Sequence, residues 1–163
     1  MQKTPLYEEH VALGAKMVPF SAWLLPLQFA GIRSEHLHTR SRVSLFDCSH
    51  MAEFLVQGSG SMQALDPLLF NRVSSLPVGR CRYSGLQNAR GGIIDDLVAM
   101  RLNPDEIYVV TNAGPRERVA PILWRACNAD DQTLATAKID VQGPLSREVL
   151  LRLGLDDAAR LEY

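Results

Sequence analysis

The sequence predicts an α+β fold: a mainly antiparallel sheet with flanking helices. Two observations predict it. From His50 onward, short runs of strand-forming residues alternate with apolar stretches at helical spacing, in the order strand, helix, three strands, helix, strand. The joins between the three central strands are Asn88-Ala89-Arg90-Gly91-Gly92 and Asn103-Pro104-Asp105. Both are short and built from turn residues, which suits antiparallel hairpins, whereas parallel strands need long crossovers.

The elements follow in order. Leu24-Leu25-Pro26-Leu27-Gln28-Phe29 is apolar with a proline and reads as a packed loop or short strand. Ser34 is placed to cap a short helix through Arg42, because a hydroxyl can take up an orphan backbone N–H. Arg40 and Arg42 then sit near the negative helix end. Residues 50–57, HMAEFLVQ, read as a strand that Gly58-Ser59-Gly60 ends. Met62, Leu65, Leu68 and Leu69 predict a helix over 61–70, shortened or kinked by Pro67. Strands are expected over 81–87, 93–102 and 107–111. A helix starts near Pro115, with Val119, Ile122, Leu123 and Ala126 on one face and a bend at Pro121. Another strand is expected over 134–141, and a helix from Pro144 to Gly154.

Composition narrows the function classes. The chain has 17 basic and 18 acidic residues, a net charge of −1, and is 47% hydrophobic. These are interspersed, so no basic stripe points to nucleic acid or to a membrane surface. No apolar run has the length of a membrane span, and MQKTPLYEEH has no signal core, so a cytoplasmic, bacterial-type location is expected. Cys48, Cys81 and Cys127 are widely spaced, which suggests reduced, mostly buried thiols rather than disulfides or zinc. His36 and His38 fall on different helix faces, and no metal site is expected.

The stretch GGIIDDLVAM, 91–100, carries the chemistry. Alternation along the strand puts Ile94, Asp96, Val98, Met100 and Leu102 on one face, and Ile93, Asp95, Leu97, Ala99 and Arg101 on the other. Asp96 is therefore the one polar group on an apolar face, and Asp95 shares its face with an arginine. A carboxylate buried unpaired is costly. Two explanations stand open for Asp96: backbone N–H groups satisfy it, or its face lines a pocket where it meets a ligand nitrogen.

GGIIDDL resembles the signature of the aminomethyltransferase family, the T-protein of the glycine cleavage system. TPLYEEH (4–10), GAKMVPFSAW (14–23), EHLHTR (35–40), SLFDCSHM (44–51), YVVTNAG (108–114) and VQGP (141–144) resemble further family motifs in the same order. The resemblance implies the N-terminal portion of a multi-domain folate-binding fold. It divides the chain into 1–49, a segment of a discontinuous first domain; 50–132, an α+β folate-site domain; and 133–163, the start of the return to the first domain. It implies transfer of a one-carbon unit from an aminomethyl group on the lipoyl arm of the H-protein to tetrahydrofolate, with release of ammonia. Asp96 matches the family's central catalytic carboxylate, which positions the folate amine and stabilises a cationic, iminium-like species. Met51, Tyr83 and Asn112 match positions that line the folate pocket. His50, beside Met51, is read as a structural histidine.

Family members run to more than twice this length, so the chain is expected to be incomplete for turnover, with a C-terminal half or a second copy covering its exposed face. Lys138 and Asp140 stand where the family has an apolar strand. The alternatives implied are a folate-binding relative of the sarcosine- or dimethylglycine-oxidising type, an iron–sulfur assembly factor, or an inactive subunit that needs a partner.

Overall fold

A computed structural model describes residues 1–160. In chain order the elements are β1 (Gln2–Lys3), α1 (Tyr7–Ala12), β2 (Lys16–Phe20), β3 (Trp23–Gln28), α2 (Ile32–Ser41), β4 (Ser44–Asp47) and β5 (Ala52–Gln57). Then come α3 (Ser61–Leu65) with a 3-10 turn over Asp66–Leu68, β6 (Cys81–Gln87), β7 (Ile93–Asn103), β8 (Glu106–Thr111), α4 (Arg116–Ala126) and β9 (Ala129–Asp131). The last are β10 (Ile139–Gln142), α5 (Ser146–Arg152) and α6 (Asp156–Ala159). The chain forms two compact units, one from Met1–Cys48 with the chain from Ala137 onward, the other from Ser49–Thr136.

The first unit holds two small sheets, β1-β3-β2 and β10-β4. His10 in α1 bonds Asp47 in β4, Nε2 to Oδ2 at 2.8 Å, and meets the Phe29 ring edge-on at 5.9 Å. Residues 24–28 lie in a true strand, β3, antiparallel to β2. The start of α2 differs from expectation. Its cap position is Gly31, and the satisfying group is the Glu35 carboxylate, which accepts the N–H groups of Phe29 at 2.7 Å and Gly31 at 2.8 Å. Those backbone donors hold the Glu35 carboxyl below its usual range. Ser34 sits inside the helix and donates to the Gly31 carbonyl instead. A carboxylate reaching back can serve two donors, and it places negative charge at the positive helix end.

The return strand is also shorter than expected. β10 covers only Ile139–Gln142, paired with β4. Residues 132–136 form a turn, with the N–H groups of Ala135 and Thr136 on the Gln132 carbonyl. Lys138 pairs with Asp140, so both charges are accommodated at the edge of this short ladder. Gly143 is needed where the chain leaves β10: its φ is +128°, and a Cβ there would lie 2.3 Å from the Arg42 carbonyl oxygen.

The second unit is a five-stranded sheet in the order β6-β7-β8-β5-β9, antiparallel at every pairing. The expected hairpins are present. In the β6–β7 turn, Asn88 Oδ1 accepts the N–H groups of Arg90 and Gly92 at 2.9 and 3.1 Å. This side-chain turn spans Gly91 at φ +78°, a conformation glycine adopts without strain. One sheet face carries Phe54, Val56, Leu86, Leu97, Ala99, Ile107 and Val109, all fully buried against Leu65 of α3, Val73, and Val119 and Leu123 of α4. Pro67 does shorten α3, which gives way to the 3-10 turn.

Candidate functional site

The site builds from this sheet's opposite, outer face. β7 alternates as the sequence requires, but burial runs the other way. Asp95 lies on the covered side with Leu97 and Ala99 and is 7% exposed, while Asp96 is exposed along with Val98 and Leu102. The apolar face that carries Asp96 is therefore the one left open. Both faces of this strand are rich in apolar side chains, so periodicity could not say which one the helices would cover. Arg101 does not serve Asp95. Its guanidinium donates to the carbonyls of Leu76 at 2.6 Å and Pro104 at 2.7 Å, closing the far end of the β7–β8 hairpin.

The strand register assembles the predicted residues. Asp96 lies opposite Gly85 of β6, and Leu97 lies opposite Thr111 of β8. One step further along that register brings Asn112 beside Asp96. Its Nδ2 donates to Asp96 Oδ1 at 2.7 Å and to Asp95 Oδ1 at 2.8 Å, while its backbone N–H donates to Asp95 Oδ2 at 2.9 Å. Tyr83, two residues before Gly85 and on the same face, donates its phenol to Asp96 Oδ2 at 2.8 Å. Each oxygen of Asp96 thus has one side-chain donor and keeps a free lone-pair direction toward solvent. The hydrogen bond to Asp96, with partial burial and the two nearby carboxylates, raises the Tyr83 phenol above its usual range, so it stays a donor.

Met51 is one strand further away. Ala52 pairs with Thr111, so continuing that register by one puts Met51 opposite Asn112. Asp96, Tyr83 and Asn112 are in direct contact; Met51 borders the group across β8.

Two residues that sequence reasoning did not assign to the site matter here. Asp95 is the buried anchor: it accepts twice from Asn112, and so fixes the amide that holds Asp96. Glu53, also on the outer face, is 4% exposed and accepts the phenol of Tyr108 at 2.7 Å and the hydroxyl of Thr136. Burial, then the Glu53 hydrogen bond, push the Tyr108 phenol up to about 12. The turn over 132–136 therefore covers the β8–β5 side of the outer face, leaving Tyr83 61% exposed and Val98 36% exposed on the β6–β7 side. No periodic signal marks Glu53, because the segment that buries it is remote in sequence.

The thiols, expected to be mostly buried, are more open than that. Cys81, at the start of β6, is exposed, and Cys48 and Cys127 are half-buried. Burial raises Cys127 to about 11, which keeps it protonated and unreactive. Among the described residues, no group of three acidic, histidine or cysteine side chains could hold a metal ion, and no helix is long and apolar enough to cross a membrane.

An antiparallel α+β fold whose strand register fixes a carboxylate on an open apolar face defines a class, and the sequence comparison identifies it. The chain belongs to the GCVT N-terminal domain family, which matches residues 6–162. It is 42% identical to an aminomethyltransferase of Thermotoga petrophila over all of this chain and 46% of that protein. It is 41% identical to an aminomethyltransferase of Thermus thermophilus over 92% of this chain and 44% of that protein. The crystal structure of the glycine cleavage system aminomethyltransferase T from Bartonella henselae superposes with a TM-score of 0.87 at 36% identity, covering 94% of this chain and 44% of that one. The chain thus has the fold of the N-terminal part of that enzyme and spans less than half the length of these relatives.

Proposed function

We propose that this chain supplies the Asp96 side of the active site of a tetrahydrofolate-dependent aminomethyltransferase. The observation that carries the reading is the Asp96 carboxylate, exposed on an apolar face and oriented by Tyr83 and Asn112. Family membership, with relatives that bear this activity by name, supports the same reaction class.

The chemistry is redox-neutral. A carbon bonded to a lipoyl sulfur and an amine nitrogen leaves both and ends bonded to two folate nitrogens. The two N–H protons displaced go to the departing sulfur and nitrogen, giving thiol and ammonia. Positive charge develops on the carbon and its nitrogen as the bonds exchange. A fixed carboxylate beside them accepts a hydrogen bond from the folate N–H and stabilises that charge. Preorganisation is what Tyr83 and Asn112 contribute: with both donors already in place, Asp96 need not reorient as charge appears. An apolar surround at Val98 strengthens the interaction once the face is covered. The rest of a full-length protein is the proposed cover, and a lipoyl-carrying H-protein the proposed donor.

Calorimetric titration with tetrahydrofolate, of the chain and of Asp96→Asn, tests this. One-site binding that the variant weakens is the expected result. Absence of binding by the unaltered chain, or equal binding by both, overturns the reading.

A further inference from the structure

Phe70 stands outside every motif used so far. It follows the 3-10 turn, and its backbone continues the sheet beyond β6: Leu69 bridges Leu86 in antiparallel fashion, and the Phe70 N–H donates to the Gly85 carbonyl at 3.3 Å. Gly85 is the register partner of Asp96. A Cβ added to Gly85 would lie 2.2 Å from Cε1 and 2.8 Å from Cζ of Phe70. The ring therefore occupies the space a side chain at 85 would fill, on the face that carries Asp96. One row across the sheet reads Phe70, Gly85, Asp96, Asn112.

The segment that presents the ring is clamped at both ends. Asp66 Oδ1 accepts the N–H groups of Val73 at 2.8 Å and Ser74 at 3.1 Å. Burial alone would raise the Asp66 carboxyl, but its bonds from Ser74 and Val73 outweigh that and hold it below its usual range. Asn71 donates its amide to the Tyr83 carbonyl at 2.9 Å and its backbone N–H to Ser84 Oγ at 3.0 Å. The ring is thus fixed in place, yet Phe70 remains 48% exposed. Covering a strand glycine with an aromatic ring is a known stabilising device, but that role uses the ring's buried side only. Because Gly85 is the register partner of Asp96, the ring lies on the same face as that carboxylate, one strand away.

We infer that Phe70 is a ligand-contacting residue, the wall against which a flat ring system lies while its N–H group meets Asp96. The class of ligand is a planar heterocyclic amine such as a reduced pterin, and the inference rests on the reading of the site given under Proposed function. Gly85 makes room for the Phe70 ring, Asn112 and Tyr83 hold the carboxylate, and Phe70 is the apolar surface of the row. A planar ring lying against the uncovered side of Phe70 makes offset contact with it, the geometry aromatic pairs prefer.

The test compares the chain with Phe70→Leu and Phe70→Met by tetrahydrofolate calorimetry and thermal melting. Phe70→Met keeps volume over Gly85 and removes only the ring. Both variants are expected to weaken binding by about three- to tenfold, as loss of an aromatic contact does, with the melting point of Phe70→Met close to that of the unaltered chain. A second readout uses ring-labelled phenylalanine: the Phe70 signals, assigned by their absence in Phe70→Leu, shift on saturation with tetrahydrofolate. Unchanged affinity in both variants, or unmoved Phe70 signals in a chain that binds, overturns this inference and leaves the proposed function standing. No binding by the unaltered chain overturns both.

Discussion

The two faces of the five-stranded sheet are both apolar, but only one is sealed. The inner face holds Phe54, Leu97 and Val109 at 0 to 2% exposure, while the outer face leaves Tyr83 and Val98 open at 61% and 36%. Asp95 and Asp96 are adjacent in the chain and fall on opposite sides of this divide. The buried one is satisfied entirely within the protein, by Asn112. The exposed one is held from two sides and keeps accepting capacity to spare. The contrast teaches that a strand can separate anchoring from chemistry with a single peptide step: one carboxylate stabilises the frame, and its neighbour is presented for use.

The comparison breaks first, if at all, at the core. Phe54→Ala should destabilise by about 3–5 kcal/mol, transfer and cavity effects together, whereas Val98→Ala on the outer face should cost under about 1 kcal/mol. Urea unfolding of the two variants measures this, and similar costs would mean that the outer face is as sealed as the inner one.

The two carboxylates sharpen it. Asp95→Ala should lower stability by about 1–3 kcal/mol, because it leaves the Asn112 backbone and side-chain donors without their acceptor. Asp96→Asn should leave stability within about 0.5 kcal/mol but weaken tetrahydrofolate by about tenfold or more, the worth of a hydrogen bond to a charged group. Melting curves alongside titrations distinguish the two, and the idea of divided roles fails should the effects be interchanged.

The smallest effect concerns the covered margin of the outer face. The Tyr108 phenol has an ordinary value of 10.0 and stands at about 12 in the folded protein. Its protonated form is thus favoured by folding. The stabilisation is complete below about pH 10 and is lost as pH rises toward about 12, since over that window the unfolded chain has given up the proton and the folded one has not. Tyr108→Phe should flatten the decline in alkaline unfolding midpoints over this window. An unaltered slope would show that the Glu53–Tyr108–Thr136 contact does not hold the 132–136 turn in place.

Much of the second unit was readable in advance because it is governed by local rules. Strand runs at 81–87 and 93–102, with turn residues between them, leave little choice but a hairpin. Alternation then isolates Asp96 as the polar member of its face. Where reading failed, either a neighbouring side chain competed better or a distant segment made the decision. Ser34 is a good cap by residue type, but Glu35 reaches two backbone donors at once and takes the role. The strand expected over 134–141 begins only at Ile139, because Thr136 and its neighbours are drawn to Glu53 of β5.

The sequence by itself determined the fold class, the antiparallel pairing and the candidacy of Asp96, which follow from backbone geometry and side-chain period, rules that act over a few residues. Tyr83 and Asn112 became candidates through the family resemblance, not through any period along the chain. Only the tertiary structure decided which face of β7 is covered, that Asp95 rather than Asp96 is the buried carboxylate, and that Phe70 fills the space over Gly85. Those outcomes depend on which surfaces meet. Packing is settled by shape and contact between segments far apart in the chain, and no period along a strand encodes it.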